Sequence, residues 1–250
     1  MKKQMKKLID EKNGETGYTL IINAVFEKLT VTLLKDAGAQ YHCEYFEKKR
    51  NAFKIDSIIE DAFKTCDIEF KDITGVAAFT GPGSFTGIKL GLSIAYAMIV
   101  SAPERVKKTG LSMLDYLIFD AFSKIKKNKT AAALVPGVKG EYFYRLIKNC
   151  KGDLKESFAK SNSASIISSN ALASEIKPDY IIIEECADAF SEDEKLAGYR
   201  GDKLIVSSVR PKAVAAFFNY CQNIDPQRIL ELNPIYLKDT YAVKPKVMTA

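Results

Sequence analysis

An α/β fold with mixed sheets, built twice along one chain, is the class this sequence predicts, and three observations predict it. The chain opens with β-branched runs in close succession. Short apolar strands then alternate with helical periodicity, and the second half follows the same order of elements without repeating the residues. At 250 residues and 47% hydrophobic, the chain buries a large core and suits one big domain or two small ones.

The elements follow in order. "YTLIINAV" (Tyr18 to Val25) and "KLTVTLLK" (Lys28 to Lys35) form a hairpin, and "GAQYHCEYF" (Gly38 to Phe46) adds a third strand. In "NAFKIDSIIEDAFKTC", Phe53, Ile55, Ile58, Ile59, Ala62, Phe63 and Cys66 fall largely at helical spacing. "DITGVAAFT" (Asp72 to Thr80) is a short apolar strand, and Thr86 to Ser101 a helix that Pro103 helps to end. Three antiparallel strands followed by alternating helix and strand is the order of a ribonuclease-H-like half-domain with a mixed sheet. The second half offers a helix from Leu111 to Ile125, then strands "TAAALVPGV" and "EYFYRLIKN". A helix near Ile166 to Ile176, a buried strand "DYIIIEE" and a last helix "PKAVAAFFNYCQN" complete it. "KSNSASIISSN" reads as a loop entering a helix. The boundary is placed in "APERVKK", giving subdomains 1–104 and 105–250, with the last helix a candidate to return to the first.

Composition excludes several classes. Cys43, Cys66, Cys150, Cys186 and Cys221 are odd in number and never form CxxC, which argues against a zinc ribbon, a redox motif or a secreted disulfide framework. The basic start "MKKQMKKLIDEKNGETG" lacks the apolar segment of a signal peptide, and no run reaches the ~18 apolar residues of a membrane span. A cytoplasmic protein without membrane contact is expected. The net charge of +6 is mild. The lysines are spread along the sequence without interleaved aromatics, so the sequence offers no nucleic-acid motif for direct binding.

The loop in "FTGPGSFTGIKLGLSIAYAMIVS" is the most specific feature. It is no Walker A loop: Gly81 and Gly87 are one residue too far apart, and Ile88 stands where the lysine belongs. It is no dinucleotide fingerprint either, which would need glycine at Thr86. What remains is a strand, a glycine turn and a helix N-terminus with Ser84 or Thr86 as cap. That geometry suits a structural joint or a candidate anion contact over Gly81, Pro82, Gly83, Ser84, Phe85, Thr86 and Gly87. In the helix that follows, Gly91, Ser93, Ala95 and Ala97 keep a low profile and favour close approach by another helix, of this chain or of a partner. Catalytic groups are scarce. The single histidine, His42, sits on a strand beside Cys43, and strand neighbours point to opposite faces.

"GPGSFTGIKLGLSIA" closely resembles the GPGSFTGLRIGL segment of the bacterial tRNA threonylcarbamoyladenosine biosynthesis family TsaB (YeaZ), with Gly81 to Gly87 identical. "GEYFYRLI" from Gly140 resembles that family's GEVYVALY strand, and "NPIYLKD" from Asn233 its P-x-Y-L-R. Two departures mark a divergent member. Asn23 stands at the aspartate of the family's I-D-T-S, and Asn51, Ala52 and Phe53 replace H-S-E.

The resemblance implies an actin/Hsp70-like (ASKHA) fold of duplicated subdomains. It also implies a non-catalytic scaffold subunit that works with TsaD and TsaE to install threonylcarbamoyl on the adenosine beside the anticodon, and that meets tRNA indirectly through the complex. It implies no cofactor on the chain alone and ATP or ADP at the interface of the assembled complex. A homodimer and a TsaD complex are expected to use the outer faces of the helices Asn51 to Cys66 and Thr86 to Ser101, with Asn51, Ile55, Lys89, Gly91, Ser93 and Ala97 at the interface. The alternative is a nucleotide-binding enzyme of the same fold, which Asn23 disfavours because a neutral amide is a poorer magnesium ligand than a carboxylate.

Overall fold

A computed structural model describes residues 17–26, 28–36, 38–46, 54–137, 140–185 and 188–235. The first half contains β1 (Tyr18–Asn23), β2 (Lys28–Lys35), β3 (Gly38–Phe46), α1 (Ile55–Thr65), β4 (Ile73–Gly81), α2 (Phe85–Ser101) and β5 (Lys107–Ser112). Its sheet runs β3-β2-β1-β4-β5, with β2 antiparallel to both neighbours and β4 parallel to β1 and β5. β1, β2 and β4 are almost wholly buried, as sheets covered on both faces require. The crossovers β3-α1-β4 and β4-α2-β5 move across the sheet in the same direction, so right-handedness sets α1 and α2 on one face.

The second half contains α3 (Met113–Ala121), β6 (Thr130–Pro136), β7 (Glu141–Lys148), α4 (Leu154–Ala159), β8 (Ser165–Ser168), β9 (Tyr180–Glu184), β10 (Leu204–Ser207) and α5 (Pro211–Asn223). Its sheet runs β8-β7-β6-β9-β10 with the same senses, which is the first sheet's plan again. The duplicated, mixed-sheet architecture of the actin/Hsp70-like class is therefore present in this chain.

α3 lies between the sheets, touching β4 and β5 on one side and β6, β7, β9 and β10 on the other. α5 packs on α3 and returns to β2 and β3 of the first sheet. Aromatic rings join the layers: Tyr116 meets Phe79 and Phe217 edge-on, each at 5.6 Å between centroids, and Tyr220 contacts Phe119 and Phe158. Asp115, buried on α3, accepts Arg145 Nη1 of β7 at 2.6 Å and faces Arg228 at 3.6 Å. Past α5 the chain runs back along the first sheet, where Leu230 pairs with Gly110 and Ile235 N donates to Thr80 O at 2.8 Å.

Several expected elements differ. Lys107–Ser112 is a strand, not the start of a helix at Leu111. Ser112 ends it and caps α3, its Oγ accepting Asp115 N, because backbone pairing with β4 outweighs the weak apolar content of "KKTGLS". The first sheet thus extends beyond residue 104, where the sequence placed the division. The helix expected from Ile166 begins instead as β8, an edge strand on β7, and only Ser169 onward turns helically. β10 and α4 had no counterpart in the sequence expectation. α1 starts at Ile55, and Asn51 lies outside the described residues.

Candidate functional site

β4 delivers the glycine loop at its carboxyl end, beside the carboxyl end of β1, and the two ends are packed together. Ser84 N donates to Val25 O at 2.8 Å, and Val25 N donates to Asn23 Oδ1 at 3.1 Å. Asn23 is buried, so its side chain is committed to this backbone turn. Gly83 has φ +154°, and a Cβ there would lie 2.6 Å from Val25 O; a Cβ on Gly87 would run into the carbonyl of Ala24. Both glycines are needed for close backbone approach. The Gly81–Pro82 peptide is cis, and Gly81 and Pro82 are buried. Ser84, not Thr86, caps α2: its Oγ accepts Gly87 N at 3.2 Å and its carbonyl accepts Ile88 N at 2.8 Å.

The remaining sequence candidates divide by side. Lys89, Ser93 and Ala97 are exposed along the outer face of α2, and Lys89 Nζ lies 4.1 Å from the centroid of the exposed Phe85 ring. Gly91 faces inward, with Ile22 Cγ2 3.5 Å from where its Cβ would stand, and Ile55 is buried in the core. Those two are packing residues rather than surface residues, so they are removed from the outer face. Tyr96, 40% exposed, and Val100, 74% exposed, were missed and belong to that face. Their signal was present, since α2 carries apolar residues around most of its circumference, and a helix of that kind has a second surface to cover. Tyr96 is also tied to the returning segment, its hydroxyl donating to Leu232 O at 2.6 Å.

His42 is held in a polar chain at the junction of the halves. Its Nδ1 is 2.8 Å from Thr32 Oγ1 and its Nε2 is 3.3 Å from Glu44 Oε1. Glu44 also takes Lys28 at 2.9 Å, and Lys28 pairs across the halves with Glu185. Burial works against the Lys28 charge, yet its bonds to Glu185 and Glu44 raise its pKa. Burial likewise opposes ionisation of Glu44, and Lys28 and His42 outweigh it to hold that carboxyl low. Among the described residues, no group of three or more His, Cys, Asp or Glu is placed to hold a metal ion. No described helix is long and apolar enough to cross a membrane.

A family model described as TsaD, tRNA N6-adenosine threonylcarbamoyltransferase, matches residues 48–164, a stretch that contains the glycine loop. Among curated proteins, tRNA threonylcarbamoyladenosine biosynthesis protein TsaB of Buchnera aphidicola subsp. Schizaphis graminum is 30% identical over 119 residues, covering 46% of this chain and 56% of that protein. TsaB of Escherichia coli is 28% identical over 115 residues, covering 46% and 48%. The chain therefore spans about half the length of the curated relatives it matches. Among solved structures, YeaZ from Pseudomonas aeruginosa aligns over 88% of this chain and 100% of its own, with a TM-score of 0.61 at 15% identity. A protein titled as having similarity to peptidase YEAZ, from the same organism, aligns over 89% and 100% with a TM-score of 0.63, also at 15%. At that identity the two structures speak for the fold.

Proposed function

We propose that the chain is a TsaB/YeaZ-type protein and acts as a non-catalytic scaffold subunit in the formation of threonylcarbamoyladenosine on tRNA, assembled with TsaD and TsaE, a reading that its similarity to the curated TsaB proteins supports. The observation that carries this is the outer face of α2, where Phe85, Tyr96 and Val100 leave apolar surface exposed around the small residues Ser93 and Ala97. Such a face accepts a partner helix at close range. The same face serves a homodimer when TsaD is absent, so the two assemblies compete.

Two features support a scaffold over an independent enzyme. Asn23 is neutral and already bonded to Val25 N, which leaves it poorly suited to organise magnesium. The glycine loop, the candidate anion contact, packs on Ala24 and Val25 of its own chain and serves as the joint that fixes the start of α2. ATP or ADP accordingly belongs at the interface of the assembled complex.

Co-purification of TsaD and TsaE with the tagged chain is the direct test. Ser93→Trp should weaken TsaD association by about tenfold or more, through a clash on an exposed face that leaves folding intact. Unchanged affinity would remove this face from the interface. For the enzyme alternative, the measurement is thermal shift of the chain alone with ATP, ADP and magnesium. Saturable stabilisation would place nucleotide on this subunit and count against the scaffold reading.

A further inference from the structure

We propose that one pole of the second half, formed by the turns at 125–130 and 149–153, is a contact surface for the sugar-phosphate backbone of RNA. The two turns are distant in sequence and are joined by the pairing of β6 with β7, in which Thr130 faces Lys148. Asn149 fastens them together. It is buried, its Nδ2 donates to Ile125 O at 2.5 Å, its Oδ1 accepts Gly152 N at 2.8 Å, and its carbonyl accepts Asn128 N at 2.8 Å. Asn128 and Lys151 adopt left-handed conformations, φ 63° and 57°, that make both turns tight.

Lys124, Lys126, Lys127, Lys148, Lys151 and Lys155 are exposed on this pole. The neighbouring carboxylates are already committed. Asp153 caps α4 by accepting Glu156 N at 2.8 Å, Glu156 takes Lys160 at 2.6 Å, and Asp179 takes Lys129 at 2.8 Å. Among the described residues, no ion pair forms with Lys124, Lys126, Lys127, Lys148 or Lys151. Uncompensated ammonium groups clustered on rigid turns attract a polyanion, and each phosphate contact releases counterions.

The chemistry favours RNA backbone over two other surfaces such a patch could meet, neutral base edges and anionic lipid. Among the described residues, no exposed aromatic lies on the pole to stack on bases, so the contact positions the nucleic acid without reading its sequence. A membrane surface would call for an apolar face beside the lysines. Phe122 and Ile125 are buried here, and Ile224, whose carbonyl takes Lys155, is a single exposed apolar side chain. The sequence concealed the patch because the lysines converge only in the folded chain.

The identity of the RNA as tRNA rests on the function proposed above, whereas the surface itself does not. Fluorescence anisotropy of an unmodified tRNA transcript with the full chain, between about 50 and 200 mM salt, tests it. Lys126→Gln/Lys127→Gln/Lys151→Gln should bind about tenfold more weakly at low salt, and its log-log salt slope should be shallower by about 2. Its melting temperature and its TsaD co-purification should match wild type, while Ser93→Trp should bind the transcript normally. If wild type shows no salt-dependent binding, or the triple variant binds as wild type does, the surface is wrong even where TsaD co-purifies. If phosphatidylserine-phosphatidylcholine vesicles are held by these lysines more tightly than tRNA, the surface is a lipid site and the proposal falls. Failure of TsaD co-purification with intact tRNA binding would instead sink the function and leave the surface standing.

Discussion

In the first half the two parallel crossovers are carried by α1 and α2, whereas in the second half the same crossovers run through residues 169–176 and 188–203, which form only short helical turns. The strand plan is the same in both halves. The comparison teaches that the plan fixes where a crossover lies, while the residues in it decide whether the face becomes a surface for a partner. α2 rises from a glycine joint that brings its first turn against Ala24 and Val25, and it keeps an apolar outer side. The second half offers charge instead, on the turns at 125–130 and 149–153.

The halves differ, but α3 packs against both sheets, and on it Asp115 lies between Arg145 of β7 and Arg228 of the returning segment. Removing its charge gives the largest effect anticipated. Asp115→Asn leaves the largely buried Arg145 guanidinium without its carboxylate and Arg228 with Asp225 alone, at a cost of about 3 to 5 kcal/mol. In thermal unfolding, a single transition lowered by roughly 10 °C is expected. Two transitions, with only one displaced, would show the halves melting separately and would break the view of a shared core around α3.

The glycine joint comes next, as a feature of the first half alone. Gly83→Val forces a Cβ against Val25 O, from a φ that β-branched residues disfavour, at a cost of about 2 to 4 kcal/mol. The melting temperature and TsaD association should fall together, because the loop sets the start of α2. Falling association with an unchanged melting temperature would mean that the loop itself touches the partner, and the joint would need to be redrawn as contact surface.

How far these differences were legible follows residue by residue. α5 was readable to its ends, because Pro211 opens it and its apolar positions keep helical spacing. The loop Gly81–Gly87 was identifiable as a strand-to-helix turn, but its tight fit on Ala24 and Val25 depends on the β1-β4 pairing. β5 was missed because "KKTGLS" has one strongly apolar residue, and its stability comes from the strand beside it. On α2, Gly91 and Ser93 look alike in composition. Residues two positions apart on a helix are turned by about 200°, so one faces β1 and the other solvent, and only the sheet says which. The lysine pole was invisible for a related reason: 124–127 and 148–155 become neighbours through a hairpin, not through spacing.

The smallest effect sharpens the comparison at the opposite ends of the two sheets. Each sheet has an aspartate just before its fourth strand, Asp72 before β4 and Asp179 before β9. Asp72 turns back on its own turn, accepting Glu69 N at 2.8 Å. Asp179 instead reaches across to the start of β6, accepting Thr130 N at 2.8 Å, Thr130 Oγ1 at 2.9 Å and Lys129 Nζ at 2.8 Å. The bond from Lys129, then that from the Thr130 backbone, hold the Asp179 carboxyl down from 3.8 to about 2. A carboxyl depressed in the folded state stabilises above its unfolded pKa, so this contribution is complete above pH 3.8 and is lost as the pH falls through about 2. The side chain is about a third exposed, so solvent screens the gain and the change in melting temperature should be on the order of 2 °C. Asp179→Asn should flatten the melting-temperature profile between pH 4 and 2 relative to wild type. A variant profile as steep as wild type would mean that the strap from Asp179 across to β6 carries none of this pH dependence, and that the two sheet ends do not differ in this respect.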